Sequence, residues 1–199
     1  MILLDNMISY SMAQPSIEHE RDSLKARKFM MWLFLVSSFI YFAGLTSGFI
    51  VYTAGDPSRG IKFILPDVFK FSTLAIVLSS VTMHLAYLSA KKEQISKQNL
   101  YLGITILLGL AFFVLQVQAW GIMFNQGVPF VNINASHSFV YVFTASHLLH
   151  ILVGIILLLR GLRGKRSSTS PERNIYRLEV TSIFWHFIDI LWIYLYVFL

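Results

Sequence analysis

The chain has 199 residues, of which 56% are hydrophobic and only 13% are charged. A soluble domain carries about a quarter charged residues, so this composition indicates a membrane protein. Cysteine is absent, which excludes disulfides, thiolate catalysis, iron–sulfur clusters, covalently attached c-type haem and thiolate-bound copper. The formal charge of +6 does not indicate nucleic-acid binding, because the basic residues flank apolar segments.

The first predicted element is an N-terminal tail, residues 1–27. It contains Pro15 and several acidic residues, and it lacks the basic start, short apolar stretch and cleavage site of a secretory signal. We expect a cytoplasmic tail that is ordered only when something binds it. The remaining residues, 28–199, are predicted to form one membrane domain.

Five apolar stretches follow the tail in this domain. Each is long enough to cross a hydrocarbon core of about 30 Å, which takes roughly 20 helical residues. None shows the strict alternation of apolar and polar residues that is typical of strands. The sequence therefore predicts an all-α bundle of five transmembrane helices, at residues 29–52, 68–90, 100–124, 138–159 and 176–199.

The orientation of the bundle follows from its basic residues. Thirteen of the sixteen Lys and Arg residues lie in the tail, between spans two and three, or around the loop between spans four and five. All three of these regions are on one side of the membrane, and only Arg59, Lys62 and Lys70 lie on the other. By the positive-inside rule, the N-terminus is predicted to be cytoplasmic and the C-terminus periplasmic.

Ionisable residues at membrane depth define a candidate site, because each of them needs a partner or a function there. Span four carries His147 and His150, and span five carries Glu179, His186 and Asp189. Because the two spans are antiparallel, residues at the same depth can be paired by counting from the connecting loop. We expect His147 to lie opposite Asp189, and His150 opposite His186 or Glu179. Together the five residues are predicted to form a structural polar network.

The His-x-x-His spacing on span four also permits a metal or haem site. However, residues three apart on one helix cannot supply both axial ligands of one haem. Further ligands for a metal would have to come from His84 or His186. We therefore favour the structural network and expect no metal in this chain. A proton relay through the same residues remains an alternative, as does an ordinary buried ion pair.

Two further patterns concern packing in the membrane. Gly44 and Gly48 in span one have the spacing that lets two helices approach closely in lipid. Aromatic residues near the outer ends of spans three and five are typical of an interfacial belt. These residues are Trp120, Trp192, Tyr194 and Tyr196.

The most specific pattern lies in span five, where residues 185–192 read Trp-His-Phe-Ile-Asp-Ile-Leu-Trp, preceded by Glu179. This segment resembles the signature in the last helix of subunit III of haem–copper oxidases. Three other spans are similar to that family's helices in the matching order, so that the resemblance covers about residues 28–199. The matching positions are Lys28, Trp32 and Ser37 in span one, Thr105, Gly109, Gln116 and Trp120 in span three, and Thr144, His147, His150 and Gly154 in span four.

This resemblance implies a non-catalytic accessory subunit of a proton-pumping terminal oxidase that reduces oxygen to water. Such a subunit stabilises the catalytic subunit I, binds structural phospholipids and supports proton uptake. Its partners would be subunit I, subunit II and other respiratory chains, with haem and copper held in those partners. The five-helix count resembles that of bacterial members, which implies the bacterial inner (plasma) membrane. Basic residues at the cytoplasmic ends of the spans are candidates for lipid head-group contacts, namely Arg27, Lys28, Lys91 and Arg177.

Two positions depart from the family pattern. A carboxylate expected in the middle of span one is Ser38 here, and one often found in span three is Ala119. Three other functions remain as alternatives: a subunit III-like partner of nitric oxide reductase, a membrane di-haem cytochrome using His84, and a proton-coupled transporter using Asp189. The sequence also leaves open whether the electron donor is cytochrome c or a quinol.

Overall fold

The computed structural model describes residues 2–61, 65–131, 134–163 and 171–199, with side chains described from residue 22 onward except at positions 57, 163 and 171. The described residues form five long helices, a short 3-10 turn at Pro57–Arg59 and no strand. The long helices are α1 (Ile2–Ala54), α2 (Val68–Lys91), α3 (Ile95–Asn125), α4 (Ala135–Arg163) and α5 (Pro171–Phe198).

All five helices are long and apolar enough to cross a membrane, which confirms the predicted all-α, five-span fold. The helices extend beyond the apolar spans, because hydropathy marks the part in lipid while backbone hydrogen bonding continues outside it. The largest difference is in the tail, which is helical from Ile2 onward. The chain divides into two compact units, Met1–Ser37 and Ser38–Leu199. The predicted boundary between the tail and the membrane domain, after residue 27, stays a prediction.

The centre of the second unit is built around Trp185 of α5. Its side chain is fully buried, and its Nε1 donates a hydrogen bond of 2.9 Å to Ser79 Oγ on α2. A Cβ atom added to Gly154 of α4 would lie 2.8 Å from the indole, and one added to Gly109 of α3 would lie 2.9 Å from it. These distances are shorter than atoms can approach. The two glycines therefore make the space that the indole fills between three helices.

Trp192 forms a second buried layer, one heptad after Trp185. Its side chain is fully buried, and its Nε1 donates to Thr73 Oγ1 on α2 at 2.9 Å. The indole stacks on Phe69 and meets Phe112 edge to face, with ring centroids 6.0 Å and 4.9 Å away. The assignment of Trp192 to an interfacial belt was therefore wrong. Seven residues are close to two helical turns, so Trp192 shares the buried face of Trp185.

Residues 38–54 of α1 pack through large aromatic side chains. Phe42 belongs to a buried cluster with Phe143 of α4 and Leu191 and Leu195 of α5. Gly44 and Gly48 are exposed instead, and a Cβ on Gly44 would meet nothing within 4 Å. Within the described residues, the predicted close helix approach at this glycine pair is therefore wrong. The close approach lies at the glycines on α3 and α4.

Candidate functional site

The core of the candidate site contains His147 and Asp189, which are 0% and 3% exposed. The prediction that both side chains face the interior is thus in accord with their burial. However, neither imidazole nitrogen and neither carboxyl oxygen has a hydrogen-bond partner within the described structure. The expected hydrogen bond between the two residues, either direct or through one intervening group, is therefore not formed within the described structure.

Aromatic rings, rather than polar groups, surround His147. Its ring centroid lies 5.0 Å from that of Trp192 and 5.5 Å from that of Phe112. Counting residues from the connecting loop could not give the direction in which each side chain points.

His186 faces α2. Its Nδ1 lies 2.6 Å from Ser80 Oγ, and its ring centroid lies 6.2 Å from that of His84. His186 is half-buried, whereas His84 is exposed on the surface of the bundle. Ser80 therefore connects α2 to His186 of α5, whose ring in turn lies beside the exposed ring of His84.

His150 faces α1. Its Nδ1 lies 2.8 Å from the carbonyl oxygen of Ser146, and its Nε2 lies 3.2 Å from Ser38 Oγ. The predicted pairing of His150 with His186 must be corrected, because these histidines form their hydrogen bonds towards different helices. Counting residues along two antiparallel helices does not give the direction of a side chain around the helix axis, so it could not predict these partners.

Two positions near this site connect it with the sequence resemblance. Ser38, where the family pattern has a carboxylate, is buried and bonds His150 through a neutral hydroxyl. Glu179 is partly exposed on α5, and seven residues separate it from His186, so both lie on one helix face. The five predicted network residues therefore have separate surroundings. His147 and Asp189 are buried, and Glu179 is partly exposed. His186 bonds Ser80 on α2, whereas His150 bonds Ser38 on α1.

The sequence reasoning missed a row of hydroxyl groups on α2. Each hydroxyl of this row contacts a polar side-chain atom on another helix. The contacts join Ser72 to Gln116, Thr73 to Trp192, Ser79 to Trp185, Ser80 to His186 and Thr82 to Thr105. A signal was present in the sequence, because Ser72 and Ser79, like Thr73 and Ser80, are seven residues apart and share a face.

The chemistry available to these groups is hydrogen bonding. Within the part of the chain that the structure describes, no three His, Asp or Glu side chains group so that they could hold a metal ion. The expectation that this chain holds no metal stays a prediction.

The four candidate lipid contacts differ in their position on the helices, because Lys91 ends α2, whereas Arg27 and Lys28 lie within α1 and Arg177 lies in the second turn of α5. Arg27 and Arg177 are exposed, and the Lys91 ammonium sits over the Tyr87 ring at 4.6 Å from its centroid. Lys28 is only partly exposed. A lysine above a tyrosine at the end of an apolar helix is typical of the membrane interface.

Comparison with known proteins agrees with this architecture. The family model described as "Cytochrome c oxidase subunit III" matches residues 11–199. The chain is 31% identical to cytochrome bo(3) ubiquinol oxidase subunit 3 of Pseudomonas aeruginosa, over 88% of this chain and 85% of the relative. It is 30% identical to cytochrome c oxidase subunit 3 of Bacillus sp. strain PS3, over 83% and 80% of the two chains.

The match covers all five helices of the structure and nearly the whole sequence. It includes the α5 segment around Trp185, His186, Asp189 and Trp192, which builds the centre of the bundle. The chain belongs to the cytochrome c oxidase subunit III family.

Proposed function

We propose that this chain is the non-catalytic accessory subunit of a proton-pumping terminal oxidase that reduces oxygen to water. In this role it stabilises the catalytic subunit and supports proton uptake, while haem and copper are held by partner subunits. The observation that carries the proposal is the family match over residues 11–199, which includes the whole five-helix bundle. The geometry of α5 supports a structural role, because the buried indoles of Trp185 and Trp192 each donate a hydrogen bond to a hydroxyl of α2.

Deleting the chain from its host tests the accessory role. We expect the remaining oxidase to keep its haem spectrum and its initial rate of oxygen reduction, but to lose activity faster during continuous turnover. Restoring the wild-type chain should restore the lifetime. Loss of a haem absorption band in proportion to the missing chain would contradict the proposal, because the chain would then itself hold a redox centre.

The proposed function also concerns the neighbouring subunits and the electron donor of the oxidase. The relatives include proteins named as cytochrome c oxidase and as ubiquinol oxidase subunits. Since both names occur among chains of similar identity, the match does not assign a donor. We propose that subunit I and subunit II are neighbours of this chain. The electron donor is then determined by the subunit that binds it.

We also propose that the subunit carries bound phospholipid. Supporting observations are the exposed arginines Arg27 and Arg177 and the interfacial position of Lys91, with Lys28 as a fourth candidate. Basic groups at the cytoplasmic ends of spans attract anionic lipid head groups. Native mass spectrometry of the complex should show retained phospholipid, and less of it after Lys91→Ala and Arg177→Ala. Unchanged lipid content would remove these two residues from the proposal.

The proposed location is the bacterial inner membrane, with the N-terminus in the cytoplasm. The uneven distribution of Lys and Arg supports this orientation. The chain has no native cysteine, so single cysteines report without background. Gly55→Cys or Gly127→Cys should react with an impermeant thiol reagent applied from the periplasmic side, and Ser168→Cys should not. Position 168 lies outside the described residues. The reverse reactivity would overturn the orientation.

A further inference from the structure

His84 is an ionisable side chain exposed at membrane depth. It lies seven residues before Lys91, the last residue of α2, which places it about 10 Å along the helix axis from that end. Its neighbours on the exposed face of α2 are the apolar residues Val81 and Leu88. Histidines in membrane helices normally face the bundle interior or a polar partner, because a polar group surrounded by lipid tails is costly.

His186 of α5 lies next to His84 and extends the polar part of this surface onto α5. The ring centroids of His84 and His186 are 6.2 Å apart, and Nδ1 of His186 already forms a hydrogen bond with Ser80 Oγ. Beyond the pair, Ile190 is 67% exposed one turn further along α5. His84, His186 and the apolar residues Val81, Leu88 and Ile190 form a surface that we name the histidine seam.

We propose that the histidine seam is the surface on which a transmembrane helix of another oxidase subunit docks, with an Asp or Glu side chain of that helix hydrogen-bonded to the histidines. This inference rests on the proposed function, since it requires a complex. The apolar residues provide the packing surface of a helix interface. The imidazoles provide N–H donors at one depth, and a carboxylate is the acceptor that makes the strongest hydrogen bond with them.

Hydrogen-bond complementarity favours this occupant over a lipid. A phospholipid tail beside His84 offers no acceptor at this depth, and a head group would have to move about 10 Å from the level of Lys91 to reach it. A second copy of the chain would place like imidazoles against one another. Outside the histidine seam, Glu179 lies on the same face of α5 as His186, two helical turns nearer the start of the helix. The docking helix therefore needs its acidic group at the histidine level rather than beside Glu179.

Photochemical cross-linking in the intact oxidase tests the docking surface. The variant is His84→p-benzoylphenylalanine, and the matched control is Leu107→p-benzoylphenylalanine, at a residue of α3 that is 68% exposed. We expect the variant at 84 to cross-link to another oxidase subunit, on a transmembrane helix with Asp or Glu within one turn of the attachment point. Adducts to lipid alone, to a second copy of this chain, to a helix without an acidic residue, or with equal yield from both positions would overturn the proposal.

A pair of substitutions tests the hydrogen bonds. In membranes an interhelical hydrogen bond changes an equilibrium by roughly three- to thirtyfold. His84→Leu should increase the dissociation of the chain from the purified oxidase by that factor, whereas His84→Gln, which keeps an N–H donor, should increase it less. The isolated His84→Leu chain should remain as stable as the isolated wild-type chain. Equal retention of His84→Leu and wild type in the complex would contradict the seam but leave the accessory role intact. Failure of the wild-type chain to associate with any oxidase subunit would instead contradict the proposed function.

Discussion

The polar side chains on two faces of α5 differ in their hydrogen bonding and in their exposure. On the buried face, the indole N–H groups of Trp185 and Trp192 each donate to a hydroxyl of α2 at 2.9 Å. On the other face, His186 uses one nitrogen for Ser80 and then meets the exposed ring of His84. On the buried face, this chain thus supplies an acceptor for both indoles, whereas on the outer face it leaves histidine rings at the surface of the bundle.

The comparison shows how a helix bundle holds together in lipid. Lipid tails are as apolar as leucine, so burying leucines between helices contributes little there. Close packing and hydrogen bonds between helices have to supply the stability. The buried face of α5 has both, in the fit of Trp185 against two glycines and in its bond to Ser79. The following substitutions test whether that face carries the stability of the chain.

The largest effect is expected from Gly154→Ala. Its new methyl group would lie 2.8 Å from the Trp185 indole, so the ring or a helix has to move. Overpacking of this kind costs about 1–3 kcal/mol. The control is Gly121→Ala, where a Cβ meets nothing within 4 Å and the change removes glycine's helix penalty of about 1 kcal/mol. Unfolding in mixed detergent micelles should show a loss for the first variant and no loss for the second. Equal stability of the two variants would contradict the claim that close packing of Gly154 against the Trp185 indole stabilises the bundle.

A smaller effect is expected from Ser79→Ala, which leaves the buried Trp185 N–H without its acceptor. Hydrogen bonds between membrane helices contribute about 0.6 kcal/mol on average and about 1.7 kcal/mol at most. The matched control is Ser37→Ala on α1, whose exposed hydroxyl donates to the Leu33 carbonyl of its own helix. The control should change the free energy of unfolding by less than about 0.5 kcal/mol. A Ser79→Ala protein as stable as the control would show that packing alone fixes Trp185.

The smallest effect concerns the coupling between His147 and Asp189. Because the structure shows no hydrogen bond at either side chain, the single changes His147→Gln and Asp189→Asn should be nearly additive. A double-mutant cycle of unfolding free energies should give an interaction below about 0.5 kcal/mol. An interaction of about 1.5–3 kcal/mol, as expected for a hydrogen bond to a charged group, would restore the pairing that the sequence predicted.

The sequence predicted the helices well, because membrane spans depend on one simple property. A run of about 20 apolar residues is long enough to cross the hydrocarbon core, and all five predicted spans lie on helices of the structure, the last of which ends one residue before Leu199. The extension of α3 back to Ile95 was missed because its first turn is polar. Hydropathy cannot detect a helix that continues beyond the lipid.

The side-chain partners were harder to predict, because depth is only one of the coordinates that decide a contact. The residue count predicts a similar depth for His150 and His186, but one hydrogen-bonds to Ser38 on α1 and the other to Ser80 on α2. The rotation of each helix about its axis depends on where the helices approach most closely. The position of closest approach is determined by Gly109, Gly154 and the Trp185 indole between them. These three residues lie on three different helices, so the sequence pattern of a single span could not predict it.

The central claim is that this chain works as a subunit of a haem–copper oxidase, and its direct test is co-purification. A tagged copy of the chain is expressed in its own host and isolated in a mild detergent, and the bound proteins are identified by mass spectrometry. The account predicts the catalytic oxidase subunit in a one-to-one ratio, with a haem spectrum that is lost when the chain is separated from its partners. Recovery of the chain alone, or of a chain that keeps haem after separation, would contradict it.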